Sequence, residues 1–230
     1  MGILLRTRAA GETEQMDRAD CDARLLDNTY RQFWVINRVL SGWRRLYNKE
    51  LRTIITPDRR PVTVLDIGSG GGDLAVMLAR WAARDGKQMH VTGIDPDPRA
   101  AAFANQRVHT PGVEFRQAHS SDLVRERARF DVVISNHVLH HLDSGELRQL
   151  LADSEILAGK ALHNDLVRSP AAFALFSAAA LPFRQSYIRE DGLTSIRRSY
   201  RPAELAASAP PGWSVERSSA FHQVLTFRRG

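Results

Sequence analysis

Val64-Leu65-Asp66-Ile67-Gly68-Ser69-Gly70-Gly71-Gly72-Asp73 is the stretch on which the reading of this chain turns. An apolar run ends on a carboxylate, a glycine-rich turn follows, and a second acid opens the next segment. Glycine supplies positive φ angles and lets the backbone approach a ligand closely. A strand-to-helix turn of this kind sits at the carboxyl edge of a parallel sheet, where open α/β folds bind ligands. No Gly-Lys-Ser or Gly-Lys-Thr follows, which excludes a P-loop. The register Gly70-Gly71-Gly72-Asp73-Leu74-Ala75 fits the dinucleotide pattern G-x-G-x-x-A and stays open on spacing alone. Charge separates the two readings. A pyrophosphate favours backbone N–H groups without a nearby carboxylate. Here Asp66 and Asp73 border the turn. Like charges roughly 4 Å apart repel by about 4 kcal/mol at an effective dielectric of 20. A cationic ligand suits such a turn. Asp73 also has a local use, because an acid in a first helical turn stabilises the helix dipole.

Working outward, strands are predicted at 62–66, 90–95, 113–117, 130–135 and 161–166, with helices at 73–84, 99–108 and 144–157 between them. Repeated β-α-β order implies a parallel sheet with helices on both faces. A last antiparallel pair is predicted at 213–217 and 222–227. The fold class is therefore α/β: a Rossmann-like, seven-stranded, mostly parallel sheet with one antiparallel C-terminal strand and a helical lid. Residues 1–19 are polar and aperiodic and read as a mobile arm. Residues 20–56 read as N-terminal lid helices. Leu26, Tyr30, Phe33, Leu40, Trp43 and Tyr47 fall on one helical face, and Thr56-Pro57-Asp58 breaks the segment. The α/β domain spans 57–230, with a lid insertion at about 168–201. Within it 170–181 is helical, 182–201 is irregular and basic, and 202–208 is a short helix.

The chain has 230 residues, 43% hydrophobic and 25% charged, a balance that suits one globular domain with an added lid. No apolar run reaches the roughly 18 residues that span a bilayer, and residues 1–11 lack a signal-peptide core. One cysteine, Cys21, excludes an internal disulfide and a cysteine-based metal cluster. A reducing cytoplasm is the expected location. Net charge is +6, carried almost entirely by arginine, which permits anionic partners. The arginines are spread along the chain, with one concentration from Arg184 to Arg201.

Asp66-x-Gly68-x-Gly70-x-Gly72 resembles motif I of the class I S-adenosylmethionine-dependent methyltransferases, and further motifs follow in that family's order. Gly93-Ile94-Asp95, then Pro96, stand where the family's acid grips both ribose hydroxyls. Ser121-Asp122 stand where an acid meets the adenine amino group. The stretch from Phe130 to Leu142, with Asn136, His137 and the pair His140-His141, resembles motif IV and the helix start after it. The resemblance covers about residues 60–167. It departs at Leu157-Ala158-Gly159-Lys160, which lacks the family's Pro-Gly-Gly, and in an unusually polar fifth strand. It implies S-adenosyl-L-methionine as cofactor, S-adenosyl-L-homocysteine as product, and cofactor contacts from Asp66, Gly68, Gly70, Gly72, Asp95, Pro96, Ser121, Asp122, Asn136 and His137.

Some natural-product members of the family pair two histidines after the fourth strand with an aspartate at the end of the fifth, and His140, His141 and Asp165 match that arrangement. The resemblance implies a base and its orienting partner. Histidine suits that work near neutral pH. The alternative is that the histidines cap and pack a helix start while Asp165 caps a turn. No metal site is expected, because no cysteine or Glu-x-x-His completes the histidine group. Tyr30, Arg31, Phe33 and Trp34, with Phe173, Phe176, Phe183 and Tyr187, either line an acceptor cavity or simply pack the core. Arg184, Arg189, Arg197 and Arg198 either meet an acidic group or form a solvated face. The leading expectation is O- or C-methylation of a small aromatic, polyketide or isoprenoid-like acceptor. Nucleic acid is not an expected partner, since no base-amination motif or RNA-binding module is visible. Methylation of nucleic acid or protein, a nicotinamide-dependent oxidoreductase, and a cofactor-binding module without turnover remain the alternatives.

Overall fold

The computed structural model describes residues 5–54 and 60–230. Seven strands, β1 (Val62–Ile67), β2 (Met89–Asp95), β3 (Val113–Gln117), β4 (Val132–Asn136), β5 (Lys160–Leu166), β6 (Trp213–Arg217) and β7 (His222–Arg228), make one sheet in the order β3-β2-β1-β4-β5-β7-β6. The first five pair in parallel. β7 alone runs antiparallel, to β5 on one side and β6 on the other. This is the Rossmann-like sheet expected from the strand and helix order.

Nine α-helices accompany these strands among the described residues: α1 (Ala23–Leu40), α2 (Trp43–Leu46), α3 (Asp73–Arg84), α4 (Pro98–Arg107), α5 (Ser120–Arg125), α6 (Ser144–Leu157), α7 (Pro170–Ala179), α8 (Ile188–Arg198) and α9 (Pro202–Ser208). The alternation of β1 sorts the core. Val62 and Val64 point to one face, against Leu74 and Leu78 of α3 and Tyr47 after α2. Leu65 and Ile67 point to the other, against α5, α6 and α9 through Leu123, Leu147, Leu151 and Leu205. Asp66 shares the side of Val64 and is buried at the strand's end. β1 and β4 are neighbours whose following connections leave in opposite directions along the sheet, which opens a crevice at their carboxyl ends.

Three expectations are revised. Residues 5–19 are docked rather than mobile. Arg168, fully buried at the end of β5, satisfies its guanidinium on the carbonyls of Leu5 (3.2 Å) and Ser199 (2.6 Å) and on the Glu204 carboxylate (2.5 Å). A buried charge needs such partners, so the N-terminal backbone is drawn in to supply one. Arg8 likewise donates to the carbonyls of Arg198, His140 and Leu142. These long-range bonds leave no periodicity in the local sequence. Residues 182–201 are not irregular throughout, since α8 occupies Ile188–Arg198 with Glu190 and Asp191 in its first turn and Arg197 and Arg198 in its last. The predicted single N-terminal face is also divided. Gly42, at φ +74°, turns the chain after α1. Leu26 and Tyr30 pack with Ala100 and Phe103, whereas Trp43 and Tyr47 join the sheet core. Leu40 stays 45% exposed. The break at Thr56-Pro57-Asp58 lies outside the described residues. Among the described residues no helix is long and apolar enough to cross a membrane.

The glycine turn shows why the fold needs these residues. Gly72 ends the turn at φ +80°, and a Cβ there would stand 2.4 Å from the ring of Phe115 on β3. Gly72→Ala is expected to destabilise the protein by about 2 kcal/mol or more, from backbone strain together with overpacking. Gly159→Ala, where the nearest atom is 3.9 Å away, serves as the comparison. Urea denaturation of the two variants checks this, and equal midpoints would contradict it.

Candidate functional site

A cavity of about 620 Å³ opens at the crevice. Its floor is the glycine turn. Gly68, Gly70 and Gly72 all have positive φ, at 69°, 52° and 80°. The turn is tied back to β2 through Gly68 N–H and Ser69 N–H, which both donate to the Ile94 carbonyl (2.8 and 3.0 Å). A Cβ on Gly68 would meet Val138 at 2.5 Å, whereas one on Gly70 meets nothing within 4 Å. Gly70 therefore presents bare backbone to the cavity. Its N–H donates to Asp95 Oδ2 (2.9 Å), and Asp95 Oδ1 accepts from Asp97 N–H (2.9 Å).

Three carboxylates converge here: Asp66, Asp73 and Asp95 all line the cavity. Burial is the main force on each. It pushes Asp66 well above the ordinary carboxylate range, and the charges of Asp73 and Asp95 push it further. Asp73 is pushed up to about 6 by burial, against the opposing pull of Asn37 Nδ2, which donates to it at 2.9 Å. Asp95 is also raised by burial, while its bonds from Asp97 and Gly70 oppose the rise. Asp66 Oδ2 is buried without a hydrogen-bond partner. A buried, partnerless carboxylate oxygen is costly. A cation placed in the cavity answers all three groups at once.

Of the other residues implied by the resemblance, Pro96, Asn136 and His137 also line the cavity. Asn136 is held from several sides. Its Oδ1 accepts from Trp43 Nε1 (2.9 Å) and Asn164 Nδ2 (3.0 Å), and its Nδ2 donates to Asn37 Oδ1 (3.3 Å). His137, at φ +59°, sits 3.1 Å from His222 Nε2 and is pushed down to about 3, chiefly by burial. Ser121 and Asp122 are not among the lining residues. Asp122 instead caps α5, accepting from His119 N–H (2.8 Å) and pairing with Arg125. The local helix cap has claimed the carboxylate that the resemblance assigned to adenine.

The polar fifth strand is used residue by residue. His163 contacts Ser135 and Ser154 (2.8 and 3.2 Å), Asn164 reaches Ser41 and Asn136 (3.0 Å each), and Asp165 reaches His140. Asp165 Oδ1 is 2.7 Å from His140 Nδ1, and its Oδ2 accepts the His140 N–H at 2.8 Å. His140 and Asp165 thus meet, as expected. On its other side His140 Nε2 lies 3.3 Å from Glu14 Oε1, out of line for a hydrogen bond. Burial alone would lower the imidazole, but the two acids outweigh it and hold His140 up at about 9. Burial works against both acids in turn, yet the histidines hold Glu14 and Asp165 down at about 2. His140 is therefore an imidazolium at neutral pH. The His141 ring lies against it, centroids 4.3 Å apart and planes tilted by 34°, is partly exposed to the cavity, and sets its Nδ1 3.0 Å from Asp17 Oδ2.

Glu14 and Asp17 carried no local signal, because they lie in a segment without periodicity. Asn37 did carry one: it falls seven residues after Tyr30 on the same helical face. The remaining wall is apolar and includes Phe33, Ile36, Leu40, Leu166, Phe176, Ile188, Ile196 and Phe221. Tyr30, Phe33 and Phe176 line the cavity, whereas Trp34 packs on the sheet core and Tyr187 accepts from Asp22 N–H (2.7 Å). Arg31, Phe173 and Phe183 are also not among the lining residues, nor is any of Arg184, Arg189, Arg197 and Arg198. Arg197 pairs with Glu12 (2.6 Å), and Arg198 donates to the His141 carbonyl (3.0 Å).

This sheet order, with a carboxylate-bordered glycine turn at its switch point, is the fold of the class I S-adenosylmethionine-dependent methyltransferases. Residues 64–156 match the family model described as "Methyltransferase domain". Over 151 residues the chain is 34% identical to a ubiquinone biosynthesis O-methyltransferase of Xanthomonas axonopodis pv. citri, covering 63% of this chain and 59% of that protein. It is 38% identical over 92 residues to a ribosomal protein L11 methyltransferase of Geobacter sulfurreducens, covering 40% and 27%. The matches span between 27% and 59% of the length of these curated relatives. Its fold is similar to that of the plantazolicin methyltransferase BpumL solved with a pentazolic desmethylPZN analog and SAH, with a TM-score of 0.61, 13% identity, and coverage of 90% and 96%.

S-adenosylhomocysteine carries an ammonium group and probes the cation-seeking turn directly. A cation binds the ionised carboxylates, and Asp73 ionises through about pH 6. Affinity is therefore expected to rise between pH 5 and pH 7.5 in calorimetric titrations. Asp66→Asn is expected to weaken binding at pH 7.5 by about tenfold or more, which corresponds to about 1.4 kcal/mol. A pH-independent affinity would contradict the assignment.

Proposed function

We propose that this protein transfers a methyl group from S-adenosylmethionine to an oxygen or carbon of an uncharged, largely apolar small molecule, such as an aromatic, polyketide or isoprenoid-like compound. One observation carries the proposal: a single cavity joins the three-carboxylate turn to the His140–His141 pair through apolar walls. When bound, the cofactor supplies an electrophilic methyl on a cationic sulfur. Asp66 and Asp73 would answer its positive charge, and Asp95 would meet the ribose hydroxyls. The bare backbone at Gly70 allows close approach. Asn136, fixed by Trp43 and Asn164, stiffens the rim between cofactor and acceptor.

Proton removal from the acceptor falls to His141. Asp17 holds its Nδ1 and leaves Nε2 to accept. His140 is already protonated, so it acts as a fixed positive charge beside the acceptor and is positioned by Asp165. A nearby positive charge favours a developing oxyanion or enolate. Arg184, Arg189, Arg197 and Arg198 do not line the cavity, and Arg197 and Arg198 are held by Glu12 and the His141 carbonyl, which favours an uncharged acceptor. A cytoplasmic location belongs to the same proposal.

Turnover with radiolabelled S-adenosylmethionine, across a set of catechols, prenylated quinols and β-dicarbonyl compounds, tests this reading. Bulk tRNA and ribosomal protein serve as the competing acceptors. Methylation confined to the small molecules is expected. His141→Ala is expected to lower kcat by about a hundredfold or more while leaving S-adenosylhomocysteine affinity unchanged. Labelling of RNA or protein alone would refute the acceptor class, and full activity of the variant would refute the base.

A further inference from the structure

Glu14, His140 and His141 form a second feature within the acceptor end of the cavity. Their ligand-type atoms lie within 4.8 Å of one another. Glu14 Oε1 stands 3.3 Å from His140 Nε2 and 3.8 Å from His141 Nε2. Two ligands on a tetrahedral ion at about 2.0–2.1 Å are separated by roughly 3.3 Å, close to these spacings. His140 Nε2 is buried and without a hydrogen-bond partner.

Each of the three groups is also held from behind. Asp165 takes His140 Nδ1 at 2.7 Å, Asp17 takes His141 Nδ1 at 3.0 Å, and Ser195 Oγ donates to Glu14 Oε1 at 2.9 Å. A carboxylate behind each imidazole fixes the tautomer that turns Nε2 outward as a ligand. Charge points the same way. Glu14, Asp17 and Asp165 face one guanidinium, that of Arg198, whose Nη1 is 3.9 Å from Glu14 and 3.7 Å from Asp17. Asp191, which accepts the N–H groups of Gln15 and Met16, adds a further carboxylate to this end. An ion bound there displaces the proton that His140 otherwise holds between Asp165 and Glu14, leaving imidazole ligands beside an excess of carboxylates.

We infer that Glu14, His140 and His141 form a binding site for a first-row divalent transition ion such as zinc, open to the cavity at a fourth position. The His₂Glu donor set suits that class of ion over magnesium or calcium. This rests on the proposed reading of His141 as base, because an ion on Nε2 removes the lone pair that accepts the proton. Occupation therefore silences methyl transfer, and a chelator restores it.

The test uses the full chain, treated with EDTA and then dialysed against Zn²⁺ or Co²⁺. One ion per chain is expected, with the intense visible absorption of a tetrahedral Co²⁺ centre. Glu14→Gln and His141→Ala are each expected to weaken Zn²⁺ binding by about tenfold or more while S-adenosylhomocysteine titrations remain unchanged, which shows the variants are folded. No retained ion, or retention that both variants leave intact, overturns the site. Zinc binding without any methyl transfer by the chelated enzyme refutes the proposed activity and leaves the metal site standing, so the two failures are separable.

Discussion

The structure depends on carboxylates held out of water at a turn that bare glycine backbone lines. Burial opposes their ionisation, and nothing in the cavity wall answers Asp66 Oδ2. A fold maintains such a group only where a ligand repays it, since an unmatched buried charge costs several kcal/mol. The parallel sheet supplies the setting. β1 delivers Asp66 to the crevice, β2 delivers Asp95, and the left-handed glycines let the chain pass between them without side chains in the way. The dinucleotide reading, open on spacing alone, fits this charge poorly, because a pyrophosphate would add negative charge to three acids.

The other end of the cavity works on the same principle with the charge already balanced. His140 is clamped between Asp165 and Glu14, so its proton stays in place at neutral pH. The clamp needs the N-terminal segment, which is held by Arg8, Arg168 and Asp191 and has only one short 3-10 turn, Gln15–Asp17, of its own. This end of the cavity is thus assembled from both ends of the chain over a sheet that supplies the floor. The family model accordingly matches the central residues 64–156 and stops short of both flanks.

The sheet and its order were legible because buried parallel strands and amphipathic helices leave periodic patterns, and the turn was legible because glycine between acids has few other uses. His140 with Asp165 was legible through resemblance. Glu14, Asp17 and Asp191 were not, since their roles come from contacts distant in sequence. α8 was missed for a different reason: its amphipathic pattern, with acids first and arginines last, was masked by its overall basic composition. Asp122 shows the reverse error. Its position matched the family, yet a Ser120–Arg125 helix cap, readable locally, took the carboxylate.

The central claim is that the carboxylate-bordered turn holds a positively charged sulfur nucleoside. Calorimetry of the purified chain at pH 7.5, titrated in parallel with S-adenosylmethionine and with NAD and NADP, tests it most directly. The account predicts saturable one-to-one binding of the sulfonium compound in the micromolar range and no heat from either dinucleotide. Saturable binding of a dinucleotide, with none of S-adenosylmethionine, would contradict it.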